Sequence, residues 1–193
     1  QEKGFTFDMG PSWYWMPDIF DQYFERFGKK TSDYYTLKRL DPSYSVILSD
    51  QEVVDMPADY QQLRSLFESI EPGAANALDR FLEQAAYKYK VGIQEFVWKP
   101  SISITEFLSL RLLVDAIRMD VFQSFYTHVR KYFKSSTLLK LMEFPILFLG
   151  AISQNTPAMY SLMNFAEIKL GTWYPMGGMF KIIEGMVALA KEK

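Results

Sequence analysis

The sequence predicts a mostly helical α+β fold with one small antiparallel sheet. Apolar residues recur at helical spacing through most of 59–170, whereas they alternate with polar residues in short segments of 35–56. With 193 residues, the chain is long enough to bury a substantial core in one domain. We therefore expect a single domain over 1–193, with the sheet at about 35–56 and the helical region at about 59–170.

The first elements are a short strand and a short helix. Thr6, Asp8 and Gly10 alternate with apolar residues, which predicts a strand that runs into the turn at Gly10 and Pro11. Pro17 is typical of a first helical position, and Gly28 is typical of a helix stop. An amphipathic helix is expected between these two residues.

The predicted sheet consists of three apolar segments between Tyr35 and Met56. Turn residues separate the segments, first at Asp41 and Pro42 and then at 49–51. This spacing predicts a small antiparallel meander, which needs a neighbouring element to cover it.

Several helices are predicted beyond the sheet. Asp59 and Gln62 resemble a capping box, and a second capping box at 103–106 precedes a leucine-rich helix over Ile104–Arg118. The helix predicted at 138–149 is expected to bend or break at Pro145, because proline lacks a backbone donor. The other predicted helical segments are 78–96, 121–133, 156–166 and 182–190.

Composition excludes several classes of site. A formal net charge of −2 gives no broad basic field, so nucleic-acid binding is not expected. The absence of cysteine excludes a disulfide framework, a thiolate nucleophile and a Cys-ligated metal. The lone histidine, His128, has no partner at metal-ligand spacing and is interpreted as a packing or solvated residue. No metal is expected, and no catalytic residue is assigned.

Two glycine-bearing patches lie near opposite ends of the sequence. The first is 4–12 (GFTFDMGPS) and the second is 171–179 (GTWYPMGGM). Glycine permits close approach of a planar ring to the backbone, and a helix N-terminus favours nearby negative charge. Taken alone, two glycines before a helix are more typical of a turn.

Both patches resemble motifs of the phytoene desaturase family. Its members are FAD-dependent carotenoid desaturases. Residues 148–160 (FLGAISQNTPAMY) also have the look of this family, so the resemblance covers essentially the whole chain. It implies an oxidoreductase that moves a hydride from a long polyisoprenoid to flavin. The residues that the resemblance places beside the flavin are Gly10, Pro11, Gly177 and Gly178. Those expected to contact substrate or ring are Trp13, Tyr14, Trp15, Trp173 and Tyr174.

The family places its FAD in a Rossmann-like unit with a Gly-x-Gly-x-x-Gly turn, and that motif is missing from this sequence. We therefore interpret the chain as an internal fragment, the substrate-binding region of a larger flavoenzyme. The missing FAD-binding region of the same parent is an expected partner. FAD is expected in the full-length parent and not in the isolated fragment, which is expected to be inactive.

A lipophilic polyene as substrate implies access to a membrane. No segment has the roughly 20 apolar residues of a transmembrane helix, but Ile104–Arg118 has the composition of an interfacial helix. A helix buried on two sides would have a similar composition. The expected location is cytoplasmic and peripheral to the membrane. Two alternatives stay open, namely a polyene isomerase or saturase of the same family and a non-catalytic lipid-binding or membrane-docking module.

Overall fold

The computed structural model describes residues 3–4, 7–50, 52–93, 97 and 117–193. The predicted mostly helical α+β fold with a small antiparallel β content is confirmed. In chain order, the helices and strands of the described residues are α1 (Pro17–Glu25), β1 (Leu37–Arg39), β2 (Tyr44–Ser49), β3 (Glu52–Met56), α2 (Tyr60–Ile70), α3 (Ala74–Val91), α4 (Phe125–Val129), α5 (Ser136–Glu143), α6 (Leu162–Phe165), β4 (Trp173–Pro175) and α7 (Phe180–Lys191).

The chain divides into two compact units. The first comprises Gln1–Ile47, Val53–Ala58 and Glu167–Lys193, and the second comprises Leu48–Glu52 and Asp59–Ala166. The first unit therefore combines segments from both ends of the sequence.

The strands form two separate two-stranded sheets. β2 pairs with β3, whereas β1 pairs antiparallel with β4, with Lys38 opposite Tyr174. The predicted three-stranded meander is therefore wrong, because β1 does not pair with β2. Two backbone hydrogen bonds extend the β1–β4 pairing, from Leu40 N–H to Thr172 O (3.0 Å) and from Met176 N–H to Thr36 O (2.8 Å). A distant segment of the chain thus satisfies the backbone groups of β1.

The first unit has an aromatic core. Tyr14, Phe24 and Tyr35 are buried together with Leu189 of α7. α1 begins at Pro17 as predicted, and Gly28 after it has a φ of +71°. The predicted strand before Gly10 is absent at residues 7–9, which are irregular, and residues 5–6 lie outside the described part.

The second unit is built mainly from helices. The Asp59 side chain accepts a hydrogen bond from Gln62 N–H at 2.9 Å, which confirms the predicted cap of α2. Phe67 and Phe81 are fully buried and both contact the ring of Phe133. These aromatic contacts join α2 and α3 to the turn that follows α4.

Two helix predictions are corrected or refined. The segment 121–133 contains only the short helix α4, which begins after the N-cap Ser124. At Phe144 the helix α5 gives way to a 3₁₀ helix, Phe144–Leu149, with Pro145 in its first turn, as expected for the missing backbone donor. Most of the predicted leucine-rich helix lies outside the described residues. Within them, no helix is both long and apolar enough to span a bilayer.

Candidate functional site

The two glycine-bearing patches meet in the first unit. Tyr14, two residues after the first patch, donates its N–H to Trp173 O at 2.9 Å. Trp173 N–H donates to Tyr14 O at 3.1 Å, which forms an antiparallel bridge. Trp173 also pairs with Arg39 of β1 on its other side. Trp173 therefore has backbone partners on both sides, whereas Tyr174 and Pro175 pair with β1 alone.

Asp8 links the same two patches through its side chain. Its Oδ2 accepts a hydrogen bond from the Tyr174 hydroxyl at 2.6 Å, and its Oδ1 accepts one from Met179 N–H at 3.1 Å. The bond to Asp8 raises the pKa of the Tyr174 hydroxyl. The carboxylate thus supplies negative charge at the N-terminus of α7, where the helix dipole favours it.

Gly177 and Gly178 both have left-handed backbone conformations, with φ of +93° and +104°. A Cβ at Gly178 would lie 3.2 Å from Asp8 Oδ1, and a Cβ at Gly177 would lie 3.0 Å from Lys181 Cε. Both positions favour glycine because of their positive φ, and at Gly178 the Asp8 carboxylate also leaves little room for a side chain. The two glycines precede α7, as the sequence predicted.

Gly10 and Pro11 form a different kind of surface. Both residues are exposed, and Gly10 has a φ of +118°. A Cβ at Gly10 would meet no described atom within 4 Å. The backbone at Gly10 is therefore open to the approach of another group.

The predicted aromatic residues divide into a half-buried group and one core residue. Trp13, Trp15, Trp173 and Tyr174 are half-buried. Tyr14, in contrast, is 1% exposed, and its hydroxyl lies 3.0 Å from that of Tyr35. Tyr14 is therefore a core residue.

The half-buried tryptophans have defined positions. The rings of Trp13 and Trp15 stack with centroids 5.8 Å apart, and Trp15 Nε1–H donates to Thr172 Oγ1 at 2.9 Å. Trp173 Nε1–H donates to Leu170 O at 2.8 Å. With its polar N–H group bonded to protein, Trp15 presents mainly apolar ring surface. Trp173 packs against the aromatic core, and the Arg39 guanidinium lies 5.9 Å from its ring centroid.

Sequence reasoning missed three polar residues of this unit, namely Asp8, Tyr44 and Glu167. Glu167 is 3% exposed, and the Tyr44 hydroxyl donates a hydrogen bond to its Oε1. Burial raises the pKa of the Glu167 carboxyl from 4.5 to about 8, whereas the bond from Tyr44 lowers it. The signal that the sequence offered for Glu167 was an acidic residue in the mostly apolar segment before Gly171. This signal does not distinguish a buried carboxyl from one at the surface.

The second unit contains a separate buried charge cluster. Lys88 is 1% exposed, and its Nζ lies 2.9 Å from Asp120 Oδ2 and 3.4 Å from His128 Nε2. Burial, followed by the positive charge of Lys88, lowers the pKa of His128 to about 4. His128 is thus a packing residue, in contact with Phe81 and Tyr132. The described residues contain no group of three His, Cys, Asp or Glu side chains that could hold a metal.

The arrangement in the first unit is suited to binding and positioning. Both Asp8 oxygens already accept hydrogen bonds, and Glu167 is enclosed, so neither presents a free carboxylate to a ligand.

Comparison with known proteins adds relatives over the whole chain, although no family model matches it. The carotenoid 3,4-desaturase of Haloarcula japonica is 35% identical over 190 residues, which are 98% of this chain and 38% of the relative. The zeta-carotene-forming phytoene desaturase of Myxococcus xanthus is 31% identical over 193 residues, 100% of this chain and 37% of the relative.

A third relative is the 4,4'-diapophytoene desaturase (4,4'-diaponeurosporene-forming) of Staphylococcus aureus. It is 28% identical over 192 residues, which are 100% of this chain and 38% of the relative. The chain therefore spans less than two fifths of the length of the curated relatives that it matches.

Proposed function

Because the chain belongs to the carotenoid desaturase family, we propose that it forms one wall of the flavin- and polyene-binding site of an FAD-dependent, phytoene dehydrogenase-like oxidoreductase. The observation that carries this proposal is the junction of the two patches. Asp8 bonds to Tyr174 and Met179, and Tyr14 pairs with Trp173, so residues from both ends of the sequence build one surface.

The residues that would hold the flavin are Gly10, Pro11, Gly177 and Gly178. Bound FAD would supply the hydride acceptor of the reaction. The role of this chain is to shape the space beside it. Gly10 leaves that space open. The hydrogen bond from Met179 N–H to the Asp8 carboxylate fixes the Gly177–Gly178 turn at the start of α7. The remaining contacts to the FAD would come from residues outside this chain.

The polyene would lie against Trp13, Trp15, Trp173 and Tyr174. A hydrocarbon offers no polar handle, so its recognition depends on shape and apolar contact. The polar groups of three of these side chains are hydrogen-bonded within the protein, namely the N–H groups of Trp15 and Trp173 and the hydroxyl of Tyr174. Ring surface is therefore what they offer to the ligand. These rings would orient the substrate and exclude water from the reacting carbons.

The flavin contact is tested by glycine substitutions in the full-length protein. Gly10→Ala should reduce the flavin that co-purifies, measured by visible absorbance per protein. Gly73→Ala is the matched control, because Gly73 also has a positive φ (+86°) with no atom within 4 Å of its Cβ position and lies in the other unit. Equal flavin content in the two variants would contradict the proposed contact at Gly10.

The polyene contact is tested by Trp13→Ala. Loss of apolar contact should raise KM for the polyene roughly tenfold, which corresponds to about 1.4 kcal/mol, with flavin content unchanged. Phe122→Ala is the control, since Phe122 is an exposed aromatic residue of the second unit. If the full-length protein binds lipid but converts no polyene, the non-catalytic lipid-binding alternative replaces the enzymatic proposal.

We further propose that the full-length protein acts at the cytoplasmic surface of a membrane, where its substrate resides. The support is the leucine-rich composition of 104–118 with arginines at its polar edge. Liposome sedimentation of a variant with Leu108, Leu112 and Leu113 changed to Gln should show reduced binding. Unchanged sedimentation of a folded variant would remove this part of the proposal.

A further inference from the structure

Glu167 and Tyr44 form a buried pair next to the proposed polyene wall. Glu167 lies in a π-helical turn, Ala166–Leu170, and such turns are frequent at functional sites. Tyr44 comes from β2 and is 7% exposed, and its hydroxyl donates to Glu167 Oε1. Neither side chain belongs to the contacts that join the two glycine-bearing patches.

A series of contacts connects this pair to the tryptophans. The Tyr44 ring lies 5.2 Å from the ring of Trp13, which stacks on Trp15 at 5.8 Å. Trp15 in turn donates its Nε1–H to Thr172, which follows Glu167 by five positions in the chain. These contacts therefore form a closed circuit, which starts at Glu167 and ends at Thr172 in the segment before β4.

The surroundings of Glu167 favour its neutral form. Tyr44 is the titratable group that faces it, and among the described residues no cation contributes to its pKa. A neutral carboxyl accepts the Tyr44 hydrogen bond without the desolvation penalty of a buried charge. Ionisation of Glu167 would place an uncompensated charge next to Tyr44, whose ring packs against Trp13.

We infer that Glu167 and Tyr44 are positioning residues that hold the Trp13–Trp15 stack in place for the polyene, and that the stack keeps this position only while Glu167 carries its proton. This inference rests on the proposed function for the identity of the ligand alone. The position of the stack itself is measurable without flavin and without turnover.

The test follows the fluorescence of Trp13 in the full-length protein, obtained as the difference between the protein and its Trp13→Phe variant. From about pH 6 to about pH 10, the emission should change with a midpoint near the pKa of about 8. Glu167→Gln, a neutral mimic, should keep the low-pH emission throughout. Glu83→Gln, at an exposed position, is the control and should titrate like the unmodified protein.

Tyr44→Phe provides a second test should the Gln variant not fold. It keeps a ring against Trp13 but removes the hydrogen bond that lowers the Glu167 pKa, so the midpoint should move to higher pH. A flat emission profile in the unmodified protein, or the same transition in Glu167→Gln, would overturn the inference.

The ligand is tested separately by steady-state kinetics with the polyene. KM should rise about threefold or more above the transition, while kcat and flavin absorbance stay constant, and Glu167→Gln should show no such rise. A fluorescence transition without a change in KM would support the pair as a device that positions Trp13 and would overturn Trp13 as a polyene contact. That result would count against the proposed function and is distinct from failure of the pair.

Discussion

The Asp8 carboxylate accepts a hydrogen bond from the Met179 backbone N–H, with 3.1 Å between Oδ1 and N. The two residues are separated by most of the sequence, yet this bond places a negative charge at the N-terminus of α7. The same carboxylate holds the Tyr174 hydroxyl through its other oxygen. One side chain thus fixes both the last helix and an aromatic residue of the proposed substrate wall.

Asp8→Ala should destabilise the protein by about 2 kcal/mol, because it leaves Met179 N–H and the Tyr174 hydroxyl without this acceptor. Urea denaturation measures the change in the free energy of unfolding. Asp50→Ala, in the exposed turn between β2 and β3, is the control and should stay within about 0.5 kcal/mol. Equal effects of the two substitutions would show that the Asp8 contacts contribute no stability.

The raised pKa of Glu167 predicts a pH dependence of folding. Between about 4.5 and about 8 the folded state keeps a proton that the unfolded state has lost, so stability falls as pH rises through this range. Relative to Glu167→Gln, the unmodified protein should lose roughly 3–5 kcal/mol across that window. Urea denaturation at several pH values measures the difference, and a constant difference would contradict the buried neutral carboxyl.

The lowered pKa of His128 predicts the opposite trend in acid. Between 6.5 and about 4 the unfolded state gains a proton that the folded state excludes, so stability is lost as pH falls. The loss should approach about 3 kcal/mol. His128→Phe, which keeps a ring near Phe81 and Tyr132, should remove this acid dependence. An unchanged acid profile in that variant would assign the loss to other groups.

The ion pair of Lys88 and Asp120 should respond unequally to removal of either partner. Asp120→Asn leaves a buried ammonium without its counter-charge and should cost about 3 kcal/mol, while asparagine tolerates the φ of +54° at this position. Lys88→Met leaves a carboxylate that is 28% exposed and accessible to water, so its cost should be smaller, about 1 kcal/mol. Unfolding by urea ranks the two variants, and the reverse order would contradict this account.

Local elements followed from the sequence because their causes lie within a few residues. The Asp59 cap, the Pro17 start of α1, the break at Pro145 and the glycine pair before α7 all depend on backbone donors and dihedral angles nearby. The predicted flavin-side glycines and the aromatic residues were named from motifs, and their binding roles stay predictions.

The strand partners and the polar contacts did not follow from the sequence. Alternation at Tyr35 and Leu37 predicted a strand but could not tell whether β2 or the distant β4 would satisfy its backbone groups. In the sequence, Asp8 is one polar residue of an alternating pattern that predicts a strand, and Glu167 is one carboxylate among many. Their roles depend on which distant groups reach them.

The sequence by itself determined the resemblance to carotenoid desaturases, the helical content and the two motif patches, because identity, spacing and turn chemistry are local properties of the chain. Only the tertiary structure decided that β1 joins β4, that Asp8 bonds to Met179 and that Tyr44 bonds to Glu167. The physical reason is that pairing partners and desolvation depend on the residues that the folded chain brings together from distant positions.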